Sequence, residues 1–400
     1  MERIGIEKYD GVMDSAVLSE VQRTARAIYG MHVLHVNSTF HGGGVASMLN
    51  SLVPLMNDVG INADWNLLYG DPAVFAVTKK IHNGLQGESV RLTDQELDAY
   101  LALNRTCALY SPMAHDVVIV HDPQPLPMIR FVRRANPWVW RCHIDVSAPN
   151  EDVELAVRPL IARYDAAVVS SERFRRPSWH LDTYVIPPAI DPFSDLNREM
   201  SEAEIDGKLD QYGIVGAEPF LLQVSRFDKW KDPMGVIRVF DTVRQEAPCR
   251  LVLLGSMATD DPEGPALFRE VQKAVEKRPD ITLITASDPL LVNAAQRRAA
   301  VVVQLSLREG FGLTVSEALW KGTPVVATSV GGIPLQIIDG KTGSLVSPGD
   351  VQGATERITQ LLQHPSRREE FGGAGREHVR EHFLIPRLLL DWLRLLNRLA

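Results

Sequence analysis

Two stretches of this chain combine charge and glycine in a way that suits an anionic, hydroxylated ligand. Ser225-Arg-Phe-Asp-Lys-Trp-Lys231 sets Arg226 and Lys231 just beyond a short apolar run. Two cations at a strand end fit a pyrophosphate, whose charge needs paired donors. A solvated basic loop explains the same residues equally well. Glu309-Gly-Phe-Gly-Leu-Thr-Val-Ser-Glu317 joins two carboxylates to the flexible backbone of Gly310 and Gly312. The N–H groups of Gly310, Phe311, Gly312 and Leu313 can seat a phosphate, while carboxylate oxygens accept hydrogen bonds from sugar hydroxyls. Thr314-Val-Ser-Glu317 also has the spacing of a helix capping box, a purely structural use of Glu317.

Three further stretches are polar where a neutral ligand would need them. Asn37-Ser-Thr-Phe-His-Gly-Gly-Gly44 leads into a helical pattern, so Gly42, Gly43 and Gly44 allow close approach of a ligand to the backbone. Trp140-Arg-Cys-His-Ile-Asp145 puts His143 and Asp145 at a strand end, and His121-Asp-Pro-Gln124 puts Asp122 and Gln124 at another. These groups are candidates for holding a neutral, hydroxylated molecule. Thr78-Lys-Lys-Ile-His-Asn-Gly-Leu-Gln86 carries Lys79, His82, Asn83 and Gln86 on a helical pattern. In isolation it reads as a solvated helix face.

The elements that must position these loops alternate. Short apolar runs at 32–36, 63–68, 117–120, 138–143 and 166–169 read as buried strands, with helical periodicity between several of them. Thr93-Asp-Gln-Glu96 has the pattern of a capping box opening a helix. Ile186-Pro-Pro-Ala-Ile-Asp-Pro192 interrupts the rhythm with a stiff extended segment. The rhythm then restarts with strands at 220–224, 251–254, 281–284, 301–305 and 324–327 and helices at 235–243 and 314–320. Strands alternating with helices predict an α/β chain with mostly parallel sheets. Two doubly wound Rossmann-like halves facing a cleft follow, with residues 1–188 as one domain and 189–384 as the other. Ligands in such sheets sit beyond the carboxyl ends of the strands, where the charged and polar loops lie.

Composition narrows the function classes. A chain of 400 residues suggests two or three domains at roughly 100–200 residues each. With 42 Lys+Arg against 50 Asp+Glu, the net charge is −8, which argues against a general nucleic-acid binder. Three dispersed cysteines offer no CxxC pair or zinc ribbon and suit a reducing compartment. The first residues lack the apolar core of a signal peptide, and no apolar run approaches the roughly 20 residues of a membrane span. A cytoplasmic protein without membrane association is expected. No P-loop, GxSxG or HExxH motif is present. Asp260-Asp-Pro-Glu263 is acidic but reads as a turn, so no obligatory metal and no permanently bound cofactor are expected.

Together these motifs resemble the GT-B glycosyltransferases of the large retaining family 4, over nearly the whole chain. Glu309-x7-Glu317 is similar to that family's paired glutamates, and Arg226 and Lys231 fall at its diphosphate-contacting cations. The glycine loop and His143 also occupy expected places. A narrower resemblance, to the trehalose glycosyltransferring synthases, rests on His-Val-Asn-Ser-Thr, Gly-Gly-Gly-Val-Ala, Val-Thr-Lys-x-x-His-Asn-x-Leu-Gln-Gly, His-Asp-Pro-Gln-Pro, Trp-Arg-Cys-His-Ile-Asp and Gln-Val-Ser-Arg-Phe-Asp. Trehalose phosphorylases share several of these. One departure is Gly331-Gly-Ile-Pro-Leu335, where many family members carry Glu at the position of Leu335.

The resemblance implies retaining transfer of glucose from a nucleotide diphosphate-glucose to free glucose, forming α,α-trehalose. It implies catalytic roles for Arg226, Lys231, Glu309 and His143, and donor contacts from Gly43, Gly44, Gly310, Phe311, Gly312, Leu313 and Glu317. Asn37, Lys79, His82, Asn83, Gln86, Asp122, Gln124 and Asp145 are the corresponding acceptor contacts. A C-terminal helix at about 385–400 returning to the first domain and a homodimer are implied as well. Three other readings stay open on the residues alone. They are a trehalose phosphorylase, a retaining glycosidase using Glu309 and Glu317, and a non-catalytic sugar-binding protein.

Overall fold

The computed structural model describes residues 5–40, 43–256 and 263–400. Gly42 and the acidic Asp260-Asp-Pro262 lie outside the described residues. The chain forms two compact units. One comprises Met1–Pro188 with Ile385–Ala400, and the other Ala189–Ala258 with Glu263–Leu384.

The first unit is built on a six-stranded parallel sheet of β1 (His32–Asn37), β2 (Asn62–Leu67), β3 (Val117–His121), β4 (Trp138–Arg141), β5 (Ala166–Val169) and β6 (Thr183–Val185). Its strand order is β2-β1-β3-β4-β5-β6. The second unit repeats the plan with β7 (Phe220–Val224), β8 (Arg250–Gly255), β9 (Ile281–Thr285), β10 (Val301–Gln304), β11 (Val325–Thr328) and β12 (Ser344–Val346), in the order β12-β11-β10-β7-β8-β9. Every strand pair is parallel, so each link between neighbours must cross over, and helices cover the sheet faces. Runs such as Val117–Val120 and Val301–Val303 are apolar at consecutive positions because both faces of the strand are buried.

The α/β class and two doubly wound units follow the sequence expectation, with corrections. Helix Ser15–Arg26 precedes the first strand and was not expected. Asp14 caps it, and Val21 and Ala25 bury its inner face. The three-residue strands β6 and β12 are too short to leave a periodic signal. The run expected at 138–143 ends as a strand at Arg141, so Cys142 and His143 already belong to the loop. The expected capping box does form at Thr93 and Glu96.

The C-terminal helix Ile385–Leu399 packs on helices Ser15–Arg26 and Gly44–Asp58 of the first unit. Its buried stripe includes Leu388, Leu389, Trp392, Leu393 and Leu396, at the spacing of one helical face. Arg387 donates to the carbonyls of Pro187 (2.8 Å) and Pro188 (2.9 Å) and to Asp391 (2.8 Å), which ties the helix to the end of the first unit. Arg394 pairs with Glu20, and the Asn397 amide donates to the Thr24 carbonyl at 3.1 Å. Trp392 is fully buried, so Trp392→Ala should destabilise the protein by about 3–5 kcal/mol. Urea denaturation checks this, and a loss within about 0.5 kcal/mol, the range of ordinary surface substitutions, would show that the helix contributes little.

Candidate functional site

In the second unit the chemistry gathers where the strand order reverses. β7 lies between β10 and β8, so the loops following β7 and β10 are neighbours at the carboxyl edge. The first carries Arg226 and Lys231, the second Glu309. The two loops are joined by the Leu307 N–H, which donates to the Trp230 carbonyl at 2.7 Å. The Gln223 amide holds the Lys231 carbonyl at 2.8 Å.

The Lys231 ammonium donates directly to Glu309 Oε2, and the Ser306 hydroxyl donates to the same oxygen at 3.3 Å. Ser306 is itself fixed by the Gln304 amide (2.9 Å) and by Thr328, whose hydroxyl donates to the Ser306 carbonyl at 2.6 Å. Glu309 is buried. A buried carboxylate keeps its charge only with a cation and hydrogen-bond donors around it, and both are present. Arg226 differs. It is half-buried, and its guanidinium has no hydrogen bond or ion pair among the described residues.

The turn after Glu309 is shaped by close backbone approach. Gly312 has φ +83° and caps helix Leu313–Trp320 without a side-chain cap hydrogen bond. The loop after β11 packs against this turn so closely that a Cβ on Gly331 would sit 1.5 Å from the Glu309 carbonyl oxygen. Gln336 stitches the two together: its amide nitrogen donates to the Phe311 carbonyl at 2.5 Å, and its oxygen accepts from the Ser316 N–H (2.9 Å) and hydroxyl (2.6 Å). The capping box of Thr314 and Glu317 does not form, because Gly312 is the cap and Glu317 lies inside the helix. Glu317 is instead buried near Lys321 and Gln296, and burial raises its carboxyl above the usual range. Burial likewise lowers the Lys321 ammonium, which donates to Asn197 (2.8 Å), Gln296 (2.9 Å) and the Glu317 carbonyl (3.1 Å).

In the first unit the polar groups stand at the carboxyl ends of the adjacent strands β1, β3 and β4. Asn37 ends β1, is buried, and donates to the Thr39 carbonyl at 3.0 Å. Asp122 follows β3 with φ +63°, a left-handed conformation costly for a residue with a Cβ. It is held by the His143 N–H on its carboxylate (2.7 Å), the Trp140 indole on its carbonyl (3.0 Å) and its own N–H to the Arg141 carbonyl (2.8 Å). The next residues are pinned by Tyr100 on the Pro123 carbonyl, by Asn104 on the Gln124 carbonyl at 3.0 Å, and by Tyr164 on the Leu126 carbonyl at 2.8 Å. Gln124 Oε1 is buried with no hydrogen-bond partner. Asp145 is buried and accepts from the Ser147 N–H (2.9 Å) and hydroxyl (2.5 Å).

His35, His121 and His143 form a hydrogen-bonded row, which the sequence does not reveal. His35 Nδ1 lies 2.9 Å from His121 Nε2, and His121 Nδ1 lies 2.9 Å from His143 Nε2. Their rings stack at 5.2 Å centroid spacing in both pairs. Burial lowers all three imidazoles, His35 to about 3. The detectable signal was His35 within β1 and His121 at the end of β3, each following buried apolar residues. Arg141 was missed likewise: it is fully buried, donates to the Ser170 hydroxyl at 3.2 Å and leaves one guanidinium nitrogen unpaired.

The stretch read as a solvated helix face is not one. On helix Pro72–Leu85 and its cap, Lys79, Asn83 and Gln86 are buried, while Lys80 takes the half-exposed ion pair with Glu96 at 2.8 Å. The polar face turns inward because Gly84 lets the helix lie against Val153: a Cβ there would meet its methyl at 2.6 Å. Gly43, with φ +116°, and Gly44 begin helix Gly44–Asp58. Among the described residues no group of three or more His, Cys, Asp or Glu side chains could hold a metal ion, and no helix is long and apolar enough to cross a membrane.

Two parallel doubly wound sheets with these edge sites define the GT-B class of glycosyltransferase fold. An E. coli trehalose-6-phosphate structure with bound UDP-2-fluoro glucose superposes with a TM-score of 0.73 at 13% identity, over 92% of this chain and 99% of that one. The chain matches the family described as "Trehalose synthase, N-terminal domain" over residues 35–176 and "Glycosyl transferases group 1" over residues 205–378. Trehalose synthases of Pyrococcus horikoshii and Rubrobacter xylanophilus are 40% and 44% identical, covering 99% and 98% of this chain and 96% of each relative. A trehalose phosphorylase of Grifola frondosa is 29% identical over 86% of this chain and 54% of its own length. The chain therefore belongs to the trehalose synthase family of glycosyltransferases.

Two outcomes follow from the geometry. The histidines titrate near 6.5 when unfolded but only well below that when folded. As pH falls below about 6.5 the unfolded chain binds the extra protons, so stability declines by up to about 1.4 kcal/mol per pH unit for each histidine. Urea midpoints at pH 7.5 and 5.5 check this, and a His35→Gln variant should show a shallower decline. Gly331→Ala should displace the Glu309 backbone, destabilising the fold by roughly 1–3 kcal/mol and lowering kcat at least about tenfold, measurable by thermal unfolding and steady-state kinetics.

Proposed function

We propose that this protein transfers glucose, with retention, from a nucleotide diphosphate-glucose to free glucose, forming α,α-trehalose. The observation that carries the reading is the Arg226 guanidinium, without a partner among the described residues, on the same loop as Lys231 of the Lys231–Glu309 pair at the strand switch of the second unit. A diphosphate supplies the charge that Arg226 lacks. Its arrival draws Lys231 toward phosphate oxygen and leaves the Glu309 carboxylate to accept from glucose hydroxyls. The N–H groups of Gly310, Phe311, Gly312 and Leu313 take further phosphate oxygens, and Glu317 meets the nucleotide ribose. The N–H groups at Gly43 and Gly44 supply more donors for phosphate.

Acceptor glucose belongs to the first unit's edge, where Asn37, Asp122, Gln124, Asp145 and His143 offer neutral or paired polar groups. Helix Pro72–Leu85 and its cap complete that set with buried Lys79, Asn83 and Gln86 and the partly exposed His82. In the transfer, the bond from the donor anomeric carbon to the diphosphate oxygen breaks and the acceptor oxygen forms its bond on the same face. The acceptor proton passes to the departing phosphate. Arg226 and Lys231 stabilise the charge gathering on that leaving group, a preorganised electrostatic contribution that is commonly the largest in catalysis.

Arg226→Ala should lower kcat by roughly 10²–10³-fold with an unchanged thermal midpoint. A donor panel of nucleotide-glucoses with free glucose, scored by the disaccharide and its anomeric configuration, tests the reaction itself. Trehalose formed with release of nucleoside diphosphate supports the reading. Glucose phosphate released from trehalose and inorganic phosphate, or trehalose formed from maltose alone, would replace it.

A further inference from the structure

We propose that the Met56 thioether fixes the tautomer of His143 through His121 and His35, so that His143 presents a bare Nδ1 to its ligand. The inference deepens the acceptor reading and rests on it for the identity of that ligand.

His35 Nε2 lies 3.4 Å from Met56 Sδ, on helix Gly44–Asp58. A thioether has no proton to give, so this contact is a hydrogen bond only when His35 Nε2 carries the hydrogen. A neutral His35 then has a bare Nδ1, which must accept from His121 Nε2 at 2.9 Å. His121 Nδ1 is bare in turn and accepts from His143 Nε2, again at 2.9 Å. His143 is left with the proton on Nε2 and a lone pair on Nδ1. The opposite order would set a bare His35 nitrogen against the sulfur and turn a proton outward at His143 Nδ1.

Neutrality of the row is what makes the order strict, because an imidazolium donates from both nitrogens. Among the described residues, Arg141 and Asp122 are charged groups that adjoin the row. Arg141 is buried and disfavours a positive charge on His121 and His143. The Asp122 carboxylate accepts from the His143 backbone N–H at 2.7 Å. Trp392 meets His35 edge-on at 6.2 Å, so the inner end of the row is closed by apolar surface. His143 is partly exposed, and its Nδ1 has no hydrogen-bond partner among the described residues. Such a nitrogen accepts from a hydroxyl: it orients an acceptor sugar and discriminates against a ligand that offers only lone pairs. Met56, His35 and His121 are thus positioning residues that act through His143.

The test is two-bond ¹⁵N–¹H correlation NMR on the full-length protein labelled at histidine, with peaks assigned from His35→Asn, His121→Asn and His143→Asn. Nε2–H tautomers at all three positions between pH 6 and 8 are expected. An Nδ1–H tautomer at His143, or an imidazolium at any of the three, overturns the proposal without any variant of Met56. Met56→Leu keeps the bulk and removes the sulfur acceptor. It should produce mixed tautomers at His143 and raise the KM for glucose by roughly tenfold, with the KM for nucleotide-glucose unchanged. An undisturbed His143 tautomer in Met56→Leu overturns the role of the sulfur. The spectra are recorded without substrate, so failure of the row is seen separately from failure of the acceptor reading, which would appear as wild-type turnover in His143→Ala.

Discussion

The Lys231–Glu309 ion pair is the constraint around which the second unit's edge is organised. Taking both charges largely out of water costs several kcal/mol per ion, and mutual attraction repays it only when geometry and extra hydrogen bonds are good. That requirement propagates. Ser306 must donate to the carboxylate, Gln304 and Thr328 must hold Ser306, and the Trp230 carbonyl must catch the Leu307 N–H. These contacts fix two loops to each other although they follow strands separated by much of the unit's sequence. Gly331 is required because no side chain fits between its backbone and the Glu309 carbonyl. The pair is also a poised one. A lysine satisfied by a carboxylate, five residues from an arginine satisfied by nothing described, is an arrangement whose electrostatics improve when a dianion arrives.

The first unit solves the opposite problem. Its edge holds a row of neutral imidazoles, and its acids, Asp122 and Asp145, are turned to backbone and hydroxyl donors. Asp122 keeps a left-handed backbone that its neighbours over-determine: a carboxylate bond, a carbonyl bond and an N–H bond all act on one residue. Such strain persists only where surrounding contacts outweigh it. The result is a rigid, directional set of donors and acceptors with little exposed charge. That chemistry suits a polyol, as the charged edge of the other unit suits a phosphate ester.

The alternating plan was legible because parallel strands buried on both faces leave consecutive apolar runs, and because Pro187 to Pro192 break the rhythm. Strands β6 and β12, at three residues each, leave no period to read. The charged loops were legible for a physical reason too: cations and glycines at strand ends are unusual in an acidic chain. Taken alone, helix Pro72–Leu85 reads as solvated because its polar residues have the spacing of a solvated face, and sequence alone does not say which side Gly84 allows to pack. The capping-box pattern at Thr314 misled because a glycine two residues earlier already ends the turn in a left-handed conformation. The row of His35, His121 and His143 is not legible in the sequence because a single histidine beside apolar strand residues looks like a satisfied core residue. His35 and His121 are such residues, but the partner that satisfies each is another histidine.

The C-terminal helix links packing at the end of the chain to the imidazole row. Its buried face reads as a stripe of leucines with one tryptophan, enough to explain docking by apolar area alone. Yet the tryptophan closes the inner end of the imidazole row, and Arg387 at the helix start holds the carbonyls that end the first unit. Order in a row of neutral histidines requires exclusion of water at its inner end, since one water beside His35 would offer an alternative acceptor or donor and release the order of the protons. Trp392, buried with the helix's leucines, therefore also covers the inner end of the row. Packing at the end of the chain and hydrogen-bond direction at the edge of the first sheet are one physical requirement expressed in two places.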